Sequence, residues 1–199
     1  MQETRSLAQE EAEDIFFGQV VLIWARWFVI LAATVLIFAN STTTGELSAG
    51  TLFIVVLMAV NFFLHGRYLM EQPANRQLIG VMSLVDLAVF TAIVLFFPGG
   101  GGIASPNFVF YYPALFAFAL VFPPRFAIGY TALTLVVYTI ACVIANPAFV
   151  TDGENLKDLI RRLITLAAMG GLGTFYWRIQ RDRRRAAASV PAMTAARAT

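Results

Sequence analysis

The chain has 199 residues, of which 59% are hydrophobic and only 13% charged, with a formal net charge of +2 and a mean hydropathy of +0.73. Soluble domains carry about 25% charged residues, so an ordinary water-soluble globule is excluded, as is a disordered chain. Cys142 is the sole cysteine, which excludes a disulfide scaffold.

A membrane span needs about 20 mostly apolar residues, so six spans use roughly 120 and leave too few for a separate soluble catalytic domain. The expected fold class is all-α, a polytopic membrane protein built as one bundle of six transmembrane helices.

Residues 1–16 read as an acidic tail, with Glu3, Glu10, Glu11, Glu13 and Asp14 against Arg5. Such a tail does not adhere to anionic lipid. Ser6 and Gln9 have capping-box spacing, so a short helix is expected to start there. No basic region precedes a small-residue cleavage site, so no signal peptide is expected.

The transmembrane domain is expected over 17–177. Its first span runs from Phe17 to Ala39 and stops at Asn40-Ser41-Thr42-Thr43-Thr44-Gly45. The second covers Gly50–Tyr68 and the third Leu78–Phe97, where Pro98 and Gly99–Gly102 end it. The fourth, Pro106–Phe122, contains Pro113, which is expected to kink it. Pro123-Pro124-Arg125 turns the chain into the uncharged fifth span, Phe126–Ala145. In the polar stretch that follows, Thr151 and Glu154 are spaced as a capping box. The sixth span, Leu159–Trp177, leads into a basic tail over 178–199.

Six spans place both termini on one side. That side holds Arg5, Arg67, Arg76, Arg125, Arg178, Arg181, Arg183, Arg184, Arg185 and Arg197, against Lys157 with Arg161 and Arg162 on the other. The positive-inside rule makes the arginine-rich side cytoplasmic, and the expected location is the bacterial inner membrane. The basic balance is thus a topology signal, and nucleic acid is not an expected partner. The lipid bilayer is, together with other membrane chains or a second copy of this one.

No catalytic or metal-binding constellation is expected. His65 has no partner at ligand spacing, and Cys142 lies among apolar residues, where a thiol behaves as a small hydrophobe. Gly99–Gly102 lack the strand and the Lys-Ser/Thr of a phosphate cradle.

Two ionisable residues do lie inside spans. Arg26 and Asp86 both fall about 13 Å from the cytoplasmic edge, on helices running the same way. A pair between them facing the bundle interior offsets much of the cost of burying either. The other reading has Arg26 snorkelling between Trp24 and Trp27 to the headgroups.

In the last span Ala167, Gly170 and Gly171 let another helix approach closely, within the bundle or from a second protomer. Arg161 and Arg162 read as a solvated interfacial anchor at the outer surface, with pairing to Asp158 and Glu154 as the other reading. Phe108, Phe110, Tyr111, Tyr112, Phe116 and Phe118 form a dense aromatic cluster, read as packing or as a slot for a flat lipophilic ring.

Asp86, then Gly101-Gly102-Ile103-Ala104-Ser105-Pro106-Asn107-Phe108, Tyr111-Tyr112-Pro113 and the Phe122-Pro123-Pro124-Arg125 turn together resemble the six-helix membrane input region of bacterial sensor histidine kinases, nearest the redox-sensing Reg/Prr class. The resemblance covers roughly Arg26 to Arg185. In that class an outer loop with a Gly-Gly-x-x-Asn-Pro-Phe motif is tied to quinone sensing.

The resemblance implies a quinone as cofactor, with Gly101, Gly102, Ser105, Pro106, Asn107, Phe108 and Tyr112 as the candidate contacts. Ser105 stands where the family has asparagine, and Asn107 intrudes before Phe108. The family's phosphoacceptor helix and ATP-binding domain have no counterpart in the segment from Ala186 to Thr199, which holds no histidine; no kinase activity is expected.

Two functions fit these residues. One is a non-catalytic sensory module binding quinone at the outer leaflet. The other is an accessory subunit of a larger membrane complex such as an electron-transport assembly. A transporter fits less well, for want of paired interrupted helices.

Overall fold

A computed structural model describes residues 2–41, 43–70, 75–97, 101–147 and 151–197, with side chains from 18 to 183 apart from residue 40. It comprises α1 (Gln2–Asn40), α2 (Thr44–Leu69), α3 (Arg76–Phe96), two 3-10 turns (Gly102–Ala104 and Pro106–Phe110), α4 (Tyr111–Val121), α5 (Pro124–Ala145) and α6 (Gly153–Arg197). No strand occurs among the described residues.

Four helical stretches are long and apolar enough to cross a membrane: Gly18–Ala39, Thr44–Leu69, Arg76–Phe96 and Pro124–Ala145. Pro106–Val121 is a shorter apolar helix. Unlike those of a soluble protein, these helices carry large apolar side chains on their outer faces as well as in the core. Phe28, Phe126 and Ile144 are 67%, 64% and 65% exposed, while Gln19, Arg26, Asn61 and Asp86 are buried. Hydrocarbon rewards apolar side chains outside and drives polar ones inward. The chain is a multi-pass membrane protein.

Local chemistry sets the helix boundaries. Thr43 Oγ1 accepts from Glu46 N at 3.2 Å while Glu46 Oε2 accepts from Thr43 N at 3.3 Å. This capping box starts α2 at Thr44, ahead of the expected Gly50, because it satisfies two otherwise orphaned donors. Asn75 Oδ1 caps α3 through Leu78 N at 2.7 Å.

The cap of α6 is Asp152, whose Oδ1 accepts from Glu154 N at 3.0 Å, in place of the expected Thr151. A carboxylate fixed at a helix start also meets the positive end of the helix dipole. At the N-terminus, α1 runs unbroken from Gln2, so no separate helix begins at Ser6. The side chains of Ser6 and Gln9 lie outside the described residues. Neither residue 16 nor residue 178 interrupts its helix.

Pro113 does not kink a long fourth helix. It is the third residue of α4, within the first turn, where its missing N–H costs no helical hydrogen bond. The break from straight α-helix comes earlier, as the 3-10 turn over Pro106–Phe110.

Short and apolar, α4 sits at the centre of the bundle and packs on α1, α3, α5 and α6. Its aromatic residues form the core: Phe118 stacks on Tyr130 at 4.0 Å and on Phe122 at 4.1 Å, and Tyr111 meets Tyr138 edge-on at 5.6 Å. Such pairs add about 0.5–1.5 kcal/mol each beyond simple burial.

Candidate functional site

The segment before α4 is folded down onto α5 by glycine. Gly102 has φ +64, and a Cβ there would lie 2.9 Å from Ala145 Cβ and 3.0 Å from Cys142 Cα. Only glycine takes that backbone and that approach without strain. Ser105 N donates to Gly102 O at 3.2 Å, and Ser105 Oγ accepts from Asn107 N at 3.3 Å. Ser105 and Asn107 are both buried. Gly101, Gly102, Ser105 and Asn107 thus build the segment, whereas Pro106 is exposed and opens its second turn.

Phe108 and Tyr112 lie together, 5.7 Å between ring centroids, and face α6. The Arg162 guanidinium carbon sits 3.9 Å from the Phe108 ring centroid. Arg162 Nη1 also donates to Tyr138 Oη at 2.8 Å and to the Ser105 carbonyl at 3.2 Å. Tyr112 Oη and Thr165 Oγ1 share a hydrogen bond of 2.9 Å. One arginine therefore joins three elements: the 3-10 segment, α5 and α6.

Arg162 is neither the solvated anchor that was expected nor a partner of Glu154: it is half-buried and turned into the bundle. Glu154 is taken by Lys157 at 2.7 Å, and Arg161 pairs with Asp158 at 3.1 Å. The two arginines diverge because consecutive helical residues point about 100° apart. Leu159, Leu166, Gly170 and Gly173 are buried, and Arg162 falls on that stripe at i+3 and i+4 spacing. That phase is the signal in the sequence that separates Arg162 from Arg161.

The structure also brings Arg26 and Asp86 together. Arg26 Nε donates to Asp86 Oδ2 at 2.7 Å, with the two side chains only 6% and 7% exposed. Arg26 does not snorkel. Its Nη1 and Nη2, and Asp86 Oδ1, are buried and have no partner among the described residues. The pair lines a chamber of about 10 Å³ with Ser83, Phe90, Pro113 and Tyr130, the space one water needs. Tyr130 Oη donates to the Ser83 carbonyl at 2.9 Å on its wall.

Two polar residues inside spans went unremarked in the sequence. Gln19 Nε2 donates to the Leu64 carbonyl at 3.2 Å, and Asn61 Nδ2 to the Ile23 carbonyl at 3.4 Å. Both tie α1 to α2. Their presence within otherwise apolar stretches was the available clue.

The small residues of α6 divide into two roles. A Cβ on Gly170 would meet Thr131 Oγ1 at 2.3 Å, so α5 and α6 touch there, whereas a Cβ on Gly171 meets nothing within 4 Å. Ala167, Gly170 and Gly171 all line an open groove of about 420 Å³ beside α5, with Gly171 facing its open space. Neither this groove nor the chamber at Arg26 is lined by Gly101–Phe108 or Tyr112.

Compared with known proteins, the chain matches no family model, no curated protein and no solved structure.

Proposed function

We propose that this chain is a non-catalytic sensory module of the bacterial inner membrane, with six crossings and both termini cytoplasmic, and that α6 is its output. The observation that carries this reading is the three-way contact of Arg162, which couples the segment ahead of α4 to a helix of 45 residues. The expected span of that helix, 159–177, rises about 27 Å, close to the thickness of a bilayer's hydrocarbon core. A displacement of the outer segment therefore has a rigid path to the opposite face.

The ligand class is a quinone. Its flat ring suits the faces of Phe108 and Tyr112, and on binding it displaces the guanidinium from Phe108. This reading rests on the aromatic pair, on Arg162 and on the resemblance of the loop residues to the Reg/Prr class. Arg26–Asp86 serves as a structural pair that fixes α1 against α3.

The test uses the full chain in lipid nanodiscs, carrying cysteine in place of Arg183, with a short-chain ubiquinone added in oxidised or reduced form. The rate of thiol labelling at position 183 is expected to differ between the two forms, and Arg162→Leu is expected to abolish the difference. Identical rates with either form, and without quinone, contradict the proposal.

A further inference from the structure

The groove between α5 and α6 lies on the outer wall of the bundle, away from the Arg162 contact. Thr131 and Leu135 of α5 and Ala167, Gly171, Phe175 and Arg178 of α6 contribute to its lining. Its volume of about 420 Å³ falls within the range of ligand pockets, about 300–1,000 Å³. The walls are apolar along most of the length, and one end carries a single cation.

Length and charge together identify an occupant. Ala167 and Arg178 are separated by about 16 Å of helix rise, close to the half-thickness of the hydrocarbon core, about 15 Å. The groove thus extends through one leaflet and stops near the midplane.

The cationic end lies at headgroup depth. Trp177, next to Arg178, is the residue type that settles at that level, and Arg181 sits 5.0 Å over its ring. Arg178 itself is exposed, and no carboxylate pairs with it among the described residues. Basic pockets between membrane helices select anionic headgroups.

We infer that this groove is a binding site for one anionic phospholipid, with an acyl chain along Gly171 and Ala167 and its phosphate at Arg178. The missing side chain of Gly171 makes the space. Its neighbour Gly170 cannot do so, because Thr131 already fills its position.

The experiment is native mass spectrometry of the full chain in mild detergent, titrated with phosphatidylglycerol or phosphatidylcholine of matched chains. One phosphatidylglycerol is expected per protein, held about fivefold more tightly than phosphatidylcholine. Arg178→Gln should reduce phosphatidylglycerol to the phosphatidylcholine level. Gly171→Leu, whose Cβ meets nothing within 4 Å and whose longer side chain enters the groove, should weaken both lipids.

The wild-type headgroup comparison depends on no variant, and equal affinity for the two lipids overturns the inference. So does a dimer, or a complex with another membrane chain, that Gly171→Leu dissociates, since the groove would then be a protein contact.

Discussion

Arg162 rests its guanidinium carbon 3.9 Å from the centre of the Phe108 ring, so a charge on α6 closes over an aromatic residue of the segment ahead of α4. The same side chain reaches the Tyr138 hydroxyl at 2.8 Å. Hydrogen bonds to a charged donor contribute about 1.5–3 kcal/mol, and a cation over a ring about 0.5–2 kcal/mol.

Replacing Arg162 with leucine should therefore release the segment over 102–110 without unfolding the bundle. Amide hydrogen exchange over residues 102–110 is expected to accelerate at least tenfold, with α2 and α3 unchanged. Unaltered exchange in that segment would show that the glycine packing alone holds it down.

At the other site the prediction concerns a pair. Removing one partner of a buried ion pair costs about 3–5 kcal/mol, because the other charge is left alone, whereas replacing both by apolar residues is often neutral. Arg26→Leu should lower the thermal midpoint in detergent markedly, and Arg26→Leu with Asp86→Leu should restore most of it. Additive losses in the double variant would mean that the 2.7 Å contact contributes little.

The glycines of α6 offer a contrast between neighbours. Gly170→Ala drives a methyl into Thr131, which is itself held by a 2.8 Å bond to the Ala127 carbonyl. It should destabilise by about 1–3 kcal/mol, the usual cost of overpacking. Gly171→Ala should be neutral or stabilise by up to about 1 kcal/mol through helix propensity. Equal effects from the two, measured by thermal unfolding in detergent, would place the α5–α6 contact elsewhere.

Gly102→Ala tests the loop in the same way. The residue combines φ +64 with a backbone atom of Cys142 3.0 Å from the added methyl. The left-handed conformation alone costs about 1–2 kcal/mol for a side chain. Loss of protection over residues 102–110 is the expected readout, and full protection would deny the glycine its structural role.

Parts of this were legible in the sequence because they follow from length and depth. Helical rise places Arg26 and Asp86 at one level, and uninterrupted apolar stretches mark the four long helices. Other parts depend on facts that a linear reading does not weigh. A glycine pair that lets a ligand approach looks the same as one that lets α5 approach, and here Ala145 and Cys142 occupy the space at Gly102. Arg161 and Arg162 look alike as neighbours, yet the stripe of Leu159, Leu166 and Gly170 turns one outward and the other in. Thr151 met the capping pattern, but Asp152 stood one residue nearer the helix and took the position.

The account depends above all on α6 crossing the bilayer between the Arg162 contact and the basic tail. Ala104 and Arg183 are both exposed and mark the two ends. Cysteine introduced singly at each position, probed on intact cells with a membrane-impermeant thiol reagent, tests this most directly. The Ala104→Cys protein should be labelled from outside, and the Arg183→Cys protein only after permeabilisation. Labelling of both from the same side would contradict the crossing, and with it the route from outer segment to cytoplasmic tail.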